Sequence, residues 1–175
     1  MGISNMLPVN TSGLQLIKTQ TFTSQTNCDV TDVFSATYDN YLAVIRVVAS
    51  TTGQYTNLQL LNGTTPKTSN YNRTGFVATS GAVLAIDSNN IATGAWRIGG
   101  QSSVAMFVTA SFYRPFASAT TGYKVDSVYT GPSNFQLYQH GGEQTENYSA
   151  TGFRIYADGN SATYTGTVRV YGYRD

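Results

Sequence analysis

Short apolar runs recur along the chain, and Gly, Asn, Asp or Pro residues separate them. Residues 14–22 alternate between apolar and polar side chains, which predicts a first β-strand with one buried face. Residues 41–49 are almost continuously apolar and rich in β-branched side chains, so this strand is expected to be buried on both faces at one point. Further strands are predicted at residues 57–61, 76–79, 82–86, 95–98, 104–113, 124–129, 135–139, 153–157 and 162–173.

The number and the spacing of these runs predict the fold class. No segment shows the period of an amphipathic helix. Short strands separated by turn residues are typical of sandwiches and barrels. We therefore expect an all-β, single-domain antiparallel β-sandwich, jelly-roll-like, with about 8–10 strands.

Several segments between the strands carry turn residues. Residues 23–40 and 63–75 are rich in Asn, Asp, Thr and Ser, which predicts turns and surface loops. Asp158-Gly159 separates the last two predicted strands, which indicates a closing β-hairpin. Residues 1–13 are polar and have no core of their own, so we expect an N-terminal arm or anchor, followed by the sandwich domain at 14–175.

The composition strengthens the all-β prediction. Charged residues make up 11 % of the chain, against about 25 % in an average soluble domain. With 25 Thr, 16 Ser and 13 Asn, the polar surface is built from hydroxyls and amides. Thr and Tyr fit a pleated sheet, whereas an exposed helix draws on Glu and Lys, which are scarce here.

Charge and hydropathy exclude several classes of partner. The net charge is +1 and there is no basic cluster, so nucleic-acid binding is not expected. No apolar stretch approaches about 18 residues, which argues against membrane insertion. The first residues lack a basic segment followed by a long apolar one, so we expect no signal peptide. Synthesis in a reducing cytoplasm suits the single cysteine, Cys28.

Candidate catalytic residues are few. His140 is the only histidine, and no serine lies in a glycine-flanked nucleophile elbow, so we interpret His140 as a loop residue before a glycine pair. Glu143 and Glu146 are the only glutamates and share one predicted loop, whereas glycosidases place two carboxylates across a bound sugar. We therefore expect no enzyme, and a polysaccharide hydrolase with converging Asp or Glu residues is the enzymatic alternative.

Metal ligands are equally sparse. A structural zinc site needs four Cys or His ligands, and the chain offers two such residues. Asp29, Asp32, Asp39 and Asn40 carry oxygens that suit Ca²⁺, but they lack EF-hand spacing, and turn roles are commoner for such residues. We therefore predict no cofactor and no metal ion.

Two sets of residues are candidates for contacts with other molecules. Trp96, Tyr71 and Tyr138 are candidates to stack on a glycan, because Tyr is frequent at recognition surfaces and aromatic rings serve as sugar platforms. The alternative is that they are half-buried strand residues. Arg46 and Arg169 interrupt apolar strands, and a buried arginine needs a partner, so both are candidates for a subunit interface.

Three stretches resemble structural proteins of tailed bacteriophages. Residues 33–50, VFSATYDNYLAVIRVVAS, resemble a stretch in which a Phe-Ser turn leads through Tyr-Asp-Asn-Tyr into a β-branched strand. Residues 166–175, GTVRVYGYRD, resemble the closing run of the same proteins, and residues 13–22, GLQLIKTQTF, resemble their first strand. Residues 51–150 match only in their use of Gly, Ser, Thr and Asn between short strands.

The resemblance implies a non-enzymatic bacteriophage virion structural protein on the particle surface. Two positions are open, a tail-associated fibre or receptor-binding module and a capsid decoration (cement) protein. The expected partners are other virion proteins, further copies of the chain in a homo-oligomer, with a trimer favoured, and, for a tail module, a host-surface glycan. Synthesis in the host bacterial cytoplasm and assembly into the virion need no signal peptide. The alternative is a lectin-like carbohydrate-binding domain without a virion role.

Overall fold

The computed structural model describes residues 13–82, 84–130 and 134–173, so the arm predicted at 1–13 lies almost entirely outside them. Thirteen strands form in this part of the chain, together with one short 3-10 turn. In chain order the strands are β1 (Gln15–Gln25), β2 (Asn27–Val30), β3 (Asn40–Ala49), β4 (Tyr55–Asn62), β5 (Thr65–Pro66), β6 (Tyr71–Thr79), β7 (Ala85–Thr93), β8 (Trp96–Gly100), β9 (Met106–Tyr113), β10 (Thr121–Thr130), β11 (Phe135–Gln144), β12 (Gly152–Ala157) and β13 (Tyr164–Tyr173).

The strands form two sheets that face each other as a sandwich. The larger sheet has the order β1-β13-β3-β9-β10-β11-β6-β7. The smaller sheet has the order β2-β12-β4-β5, and β8 also pairs with β4. The strand pairs are antiparallel in both sheets. The predicted all-β antiparallel sandwich is confirmed.

The strand number exceeds the predicted range, in part because β2 and β5 lie in segments whose sequence predicts turns and loops. β2 is four residues long and contains Asn and Asp, which are typical of turns. Its Cys28 and Val30 side chains are nevertheless fully buried in the core. Lys18 on β1 donates a hydrogen bond from Nζ to the carbonyl of Thr31, at 2.8 Å, and ties the first strand to the end of β2.

The closing hairpin predicted around Asp158-Gly159 is wrong. β12 lies between β2 and β4 in the smaller sheet, whereas β13 lies between β1 and β3 in the larger sheet. The chain makes a short 3-10 turn at Asp158–Asn160, with a φ of 61° at Gly159, and passes from one sheet to the other. Turn residues therefore mark a reversal of the chain, but they do not select the strands that pair across it.

Aromatic side chains fill one part of the space between the sheets. The Phe34 ring lies 4.7 Å from the Tyr41 ring and 5.1 Å from the Phe112 ring, and Phe112 lies 5.2 Å from Phe153. Each of these side chains is at most 3 % exposed. Tyr41 and Phe112 are cross-strand partners in the larger sheet, while Phe153 belongs to the smaller sheet. We call Phe34, Tyr41, Phe112 and Phe153 the aromatic cluster.

The larger sheet turns its other face to solvent, and we call this side the outer face. Along β3 the side chains alternate between the core and this face, and Val44 is 40 % exposed. The two-sided burial predicted for residues 41–49 is therefore not found at Val44 or Arg46, because the smaller sheet covers only one side of β3. Phe107, the cross-strand neighbour of Arg46, is 50 % exposed on the same face.

Candidate functional site

Two of the three aromatic residues predicted to contact a glycan lie in the interior. Trp96 and Tyr71 are fully buried, and the Trp96 ring stacks on Tyr123 at 4.1 Å and meets Tyr71 edge-on at 4.9 Å. The Tyr71 hydroxyl donates to the Lys67 carbonyl at 3.0 Å and accepts from the Leu60 amide at 2.9 Å. Since their strands turn both rings toward the core, the prediction that they form an open stacking surface is wrong.

Tyr138, the third of these residues, lines a cleft between the two sheets. The cleft lies where the inner face of β10, β11, β6 and β7 meets β4 and β8, and its volume is about 440 Å³. This volume is within the range of small-molecule binding sites. Tyr138 is 4 % exposed, so it contributes an edge of the wall rather than an open platform. Other lining residues include Tyr55, Asp87, Arg97, Tyr129 and Gln136.

Charged side chains gather at the inner end of the cleft. The Asp87 carboxylate accepts hydrogen bonds from Arg97 Nη1 at 2.9 Å and from Arg73 Nη2 at 3.3 Å, and His140 Nε2 lies 3.6 Å from it. Asp87 and Arg97 line the cleft, whereas Arg73 and His140 contact Asp87 from more buried positions, with side chains 8 % and 0 % exposed. We call Arg73, Asp87, Arg97 and His140 the charged cluster.

Strand register brings this cluster together. On the inner face of the larger sheet, Gly75 of β6 lies between His140 of β11 and Asp87 of β7. A Cβ atom on Gly75 would lie 2.0 Å from the Gln139 carbonyl oxygen and 2.3 Å from His140 Cδ2, so the glycine leaves the space that the imidazole occupies. Arg97 comes from β8, which pairs with the smaller sheet. The cluster therefore exists only where the two sheets meet.

The charged cluster carries one excess positive charge near neutral pH. Burial by itself would raise the pKa of Asp87, but the guanidinium groups of Arg73 and Arg97 outweigh it and hold this pKa below its usual value. Burial lowers the pKa of His140, although Asp87 opposes the shift, so the imidazole is neutral at pH 7. Two guanidinium groups therefore face one carboxylate.

Aromatic rings and amides form the walls of the cleft. The Arg97 guanidinium lies 3.3 Å from the centre of the Tyr55 ring, which is a cation–π contact. The Tyr129 hydroxyl donates to Gln136 Oε1, and its ring lies 5.7 Å from that of Tyr138. Burial raises the pKa of both Tyr129 and Tyr138, so their hydroxyls keep their protons. Rings, hydroxyls and amides together can bind a polar organic molecule.

The predicted loop that begins at the glycine pair is in part a strand. β11 continues past Gly141 and Gly142 between β10 and β6, whose ladders hold it extended. His140 is therefore a strand residue and 2 % exposed, and its interpretation as a loop residue is wrong. Glu143 is exposed near the end of β11, and Glu146 is bound by Lys67. Neither glutamate lines the cleft.

The acidic residues considered for Ca²⁺ do not assemble into a site. Asp29 accepts two hydrogen bonds from Arg154, one from Nε at 2.6 Å and one from Nη2 at 2.8 Å. Within residues 13–82, 84–130 and 134–173, no group of three or more His, Cys, Asp and Glu side chains is placed to hold a metal ion. Burial, with Asp29 nearby, raises the pKa of Cys28 to about 12, so its thiol stays protonated and packs as an apolar group.

Arg46 and Arg169 lie on the outer face, and both are exposed. The premise that these arginines are buried is therefore wrong, because strand alternation turns them away from the core. The Arg46 guanidinium lies 5.8 Å from the centre of the Phe107 ring. Across the part of the chain that the structure describes, neither arginine forms an ion pair.

Sequence reasoning missed Asp87 and Arg97, together with Tyr55 and Tyr129. Arg97 interrupts an apolar strand beside Trp96, just as Arg46 and Arg169 interrupt theirs, so the same signal was present at this position. Which of these arginines points inward depends on the face that the opposite sheet covers, and the sequence pattern alone does not define that face.

Comparisons with known proteins assign no family. No protein-family model matches the chain. No curated protein and no solved structure shows significant similarity to it. The described residues include no helix with the length and apolar character needed to cross a bilayer. The cleft and the outer face are therefore interpreted from their own residues.

Proposed function

We propose that the chain is a non-enzymatic structural protein of a bacteriophage particle, displayed on the surface as a homotrimer in the tail or as a capsid decoration. The three stretches that resemble phage proteins, residues 13–22, 33–50 and 166–175, contain most of β1, β3 and β13. β13 pairs with β1 on one side and with β3 on the other. The resembling stretches therefore form one continuous unit of the larger sheet, which supports treating them as one motif.

The observation that carries the proposal is the apolar outer face. Phe107 is 50 % exposed and Val44 is 40 % exposed at the middle of the sheet. Large exposed apolar patches mark contact surfaces, because a solitary protein gains nothing by keeping them in water. Next to Arg46, a row of four apolar cross-strand neighbours runs over four strands of this face, namely Phe107, Val128, Leu137 and Ala78.

Further copies of the chain are the partner that we propose for the outer face. Arg46 and Arg169 lie on it without an ion pair among the described residues, while Asp126 on the same face has only an exposed contact with Lys124 at 3.3 Å. In a ring of identical chains, the arginines of one copy can pair with Asp126 of the next. A head-to-tail contact of this kind closes into a trimer when each copy is rotated by a third of a turn.

Light scattering after size exclusion tests the assembly. The wild-type chain is expected to be a trimer. Phe107→Asp is expected to be a folded monomer, because it removes the apolar ring from the interface and gives Arg46 a carboxylate on its own chain in place of Asp126 of the next copy. Thr26→Asp is the control, since it adds the same charge at an exposed turn between β1 and β2. A monomeric wild-type chain, or a trimer that survives Phe107→Asp, would overturn the proposed interface.

Immunogold electron microscopy tests the virion role. An antibody against the folded chain is expected to label particles from the source of the chain. Label over the whole head would assign decoration, and label confined to the tail would assign a fibre or receptor-binding role. Particles that carry no label would remove the virion proposal.

A lectin-like domain is the second candidate, and the cleft is the observation that favours it. Sugar-binding sites combine rings, which pack against C–H faces, with planar polar groups, which bind hydroxyls. Tyr55 supplies a ring, Tyr138 supplies a ring edge and Gln136 supplies an amide, in one cleft of about 440 Å³. The two functions are compatible in one protein, because a particle surface is where a host glycan would be met.

A further inference from the structure

We propose that the cleft between the sheets binds a saccharide that bears a carboxylate, such as a uronic or sialic acid residue, and that Arg97 binds the carboxylate. The proposal goes beyond the virion role and rests on the lectin-like candidate, for which it names the class of sugar. It follows from the charge of the cleft, from the position of Arg97 and from the size of the space.

The cleft carries an excess positive charge that an anionic ligand would neutralise. Arg73 and Arg97 place two guanidinium groups around Asp87, and the buried His140 adds no charge when it is neutral. The Arg73 side chain is 8 % exposed and that of Arg97 is 20 % exposed, so the excess charge is largely removed from water. A charge held out of water is costly unless an opposite charge meets it. One carboxylate on a ligand would balance the site.

Arg97 is the arginine that a ligand can reach. It lines the cleft, whereas Arg73 lies behind Asp87. Within the described residues Asp87 is the one hydrogen-bond acceptor for the Arg97 guanidinium, and the Arg97 Nε is buried without an acceptor. The contact with the Tyr55 ring fixes the plane of the guanidinium. An arginine held in one plane with spare donors suits a carboxylate, which it can bind through two hydrogen bonds.

The size and the walls of the cleft favour a sugar acid over a small inorganic anion. A space of about 440 Å³ is far larger than a phosphate or an acetate ion needs. The Tyr138 ring edge and the apolar side chains of Val77 and Ala85 give the walls surfaces for the C–H groups of a pyranose ring. Gln136 adds an amide that can bind ring hydroxyls.

Isothermal titration calorimetry with four probes tests the proposal on the full chain. The probes are galacturonic acid, its methyl ester, galactose and acetate. Galacturonic acid is expected to bind at least about tenfold more tightly than its methyl ester or galactose, because a hydrogen-bonded charge pair is lost in both. Acetate is expected to bind more weakly than the sugar acid, since it leaves the walls uncontacted.

A pair of arginine variants locates the anion site. Arg97→Gln is expected to lose about tenfold or more in affinity for galacturonic acid and to abolish the preference for galacturonic acid over galactose. Arg114→Gln is the matched control, because Arg114 is exposed and lies outside the cleft. The comparison of galacturonic acid with its ester needs no variant, so the proposal stays testable if Arg97→Gln fails to fold.

Each negative result would overturn a different part of the proposal. Equal binding of galacturonic acid, ester and galactose would overturn the acidic sugar and leave the lectin-like candidate in place. Acetate that binds as tightly as galacturonic acid would show a simple anion site and overturn the saccharide. If galacturonic acid and N-acetylneuraminic acid, tried in the same way, both fail to bind, and galactose also fails, the cleft is no lectin site. None of these results affects the trimer or the particle labelling.

Discussion

The two ends of the interior are built from different chemistry within one sandwich. The aromatic cluster fills its part of the core with rings in direct contact, and Phe112 and Phe153 are fully buried. The charged cluster occupies the other part, under β6, β7 and β11, and it leaves an adjacent cleft open between the sheets. Trp96 joins the two, because its ring lies 6.4 Å from that of Phe112 and the next residue on β8 is Arg97.

This difference in chemistry suggests different roles: the aromatic cluster stabilises the fold, and the charged cluster is the candidate for recognition. Rings gain free energy in proportion to the apolar surface that they bury, so the aromatic cluster stabilises the fold directly. Charges lose hydration when they are buried, and their mutual attraction does little more than offset that loss. A sandwich that needed only stability would be expected to fill the second part with apolar side chains as well. We therefore expect the charged cluster, and not the aromatic cluster, to serve a function other than stability.

The largest effect is expected from Phe112→Ala, which empties the middle of the aromatic cluster. The cost is about 3–5 kcal/mol in the free energy of unfolding, because the removed ring leaves a cavity that its neighbours cannot fill. Urea denaturation at neutral pH measures it. Phe135→Ala is the control, since Phe135 is 52 % exposed, and its cost should stay within about 0.5 kcal/mol. Equal costs for both variants would mean that the aromatic cluster is not the main source of stability.

A smaller effect is expected from Asp87→Asn, which leaves two guanidinium groups facing a neutral amide. The expected cost is about 3 kcal/mol, at the lower end for a broken buried pair because Asp87 keeps 16 % of its side chain exposed. Asp126→Asn removes the same charge from an exposed pair with Lys124, and it should cost less than about 1 kcal/mol.

The double variant Arg73→Met with Asp87→Asn sharpens this test. It removes one positive charge together with the negative one, so it should regain part of the stability that Asp87→Asn alone loses. Additive costs in the double variant would show that the two residues are not coupled, and the charged cluster would then be a set of independent contacts.

The smallest effect is expected from the pH dependence at His140. Its folded pKa lies below the ordinary value of 6.5, because burial disfavours the imidazolium ion. Below pH 6.5 the unfolded chain takes up a proton that the folded chain does not, so stability should fall as the pH drops from 6.5 toward 5. His140→Gln should flatten this slope, since the chain has no other histidine. A slope that survives the substitution would assign the proton to another group.

The strand pattern was predictable wherever a run had clear boundaries. The run predicted at 41–49 corresponds to β3 at Asn40–Ala49, and the run at 153–157 corresponds to β12 at Gly152–Ala157. β11 extends further than predicted, because the glycine pair after His140 looks like a loop but pairs with strands on both sides. Local composition gives a weak signal where neighbouring strands, rather than the residues themselves, hold the backbone extended.

The candidate site was predictable only in part. Of the three aromatic residues singled out, Tyr138 lines the cleft, and Trp96 and Tyr71 do not. A ring in a strand faces either the core or the solvent, and a period of two residues does not state which face is which. Asp87 and Arg97 could not be paired in advance, because they lie on strands of different sheets.

The sequence by itself determined the fold class and the absence of a helical pattern, because alternation, β-branched side chains and turn residues act locally on the backbone. It also determined that Arg46, Arg97 and Arg169 interrupt apolar strands. Only the tertiary structure decided that Arg97 points into a cleft and that Arg46 and Arg169 point out. The physical reason is that the opposing sheet, which is assembled from distant segments, defines the inside, and each side chain's surroundings follow from that packing.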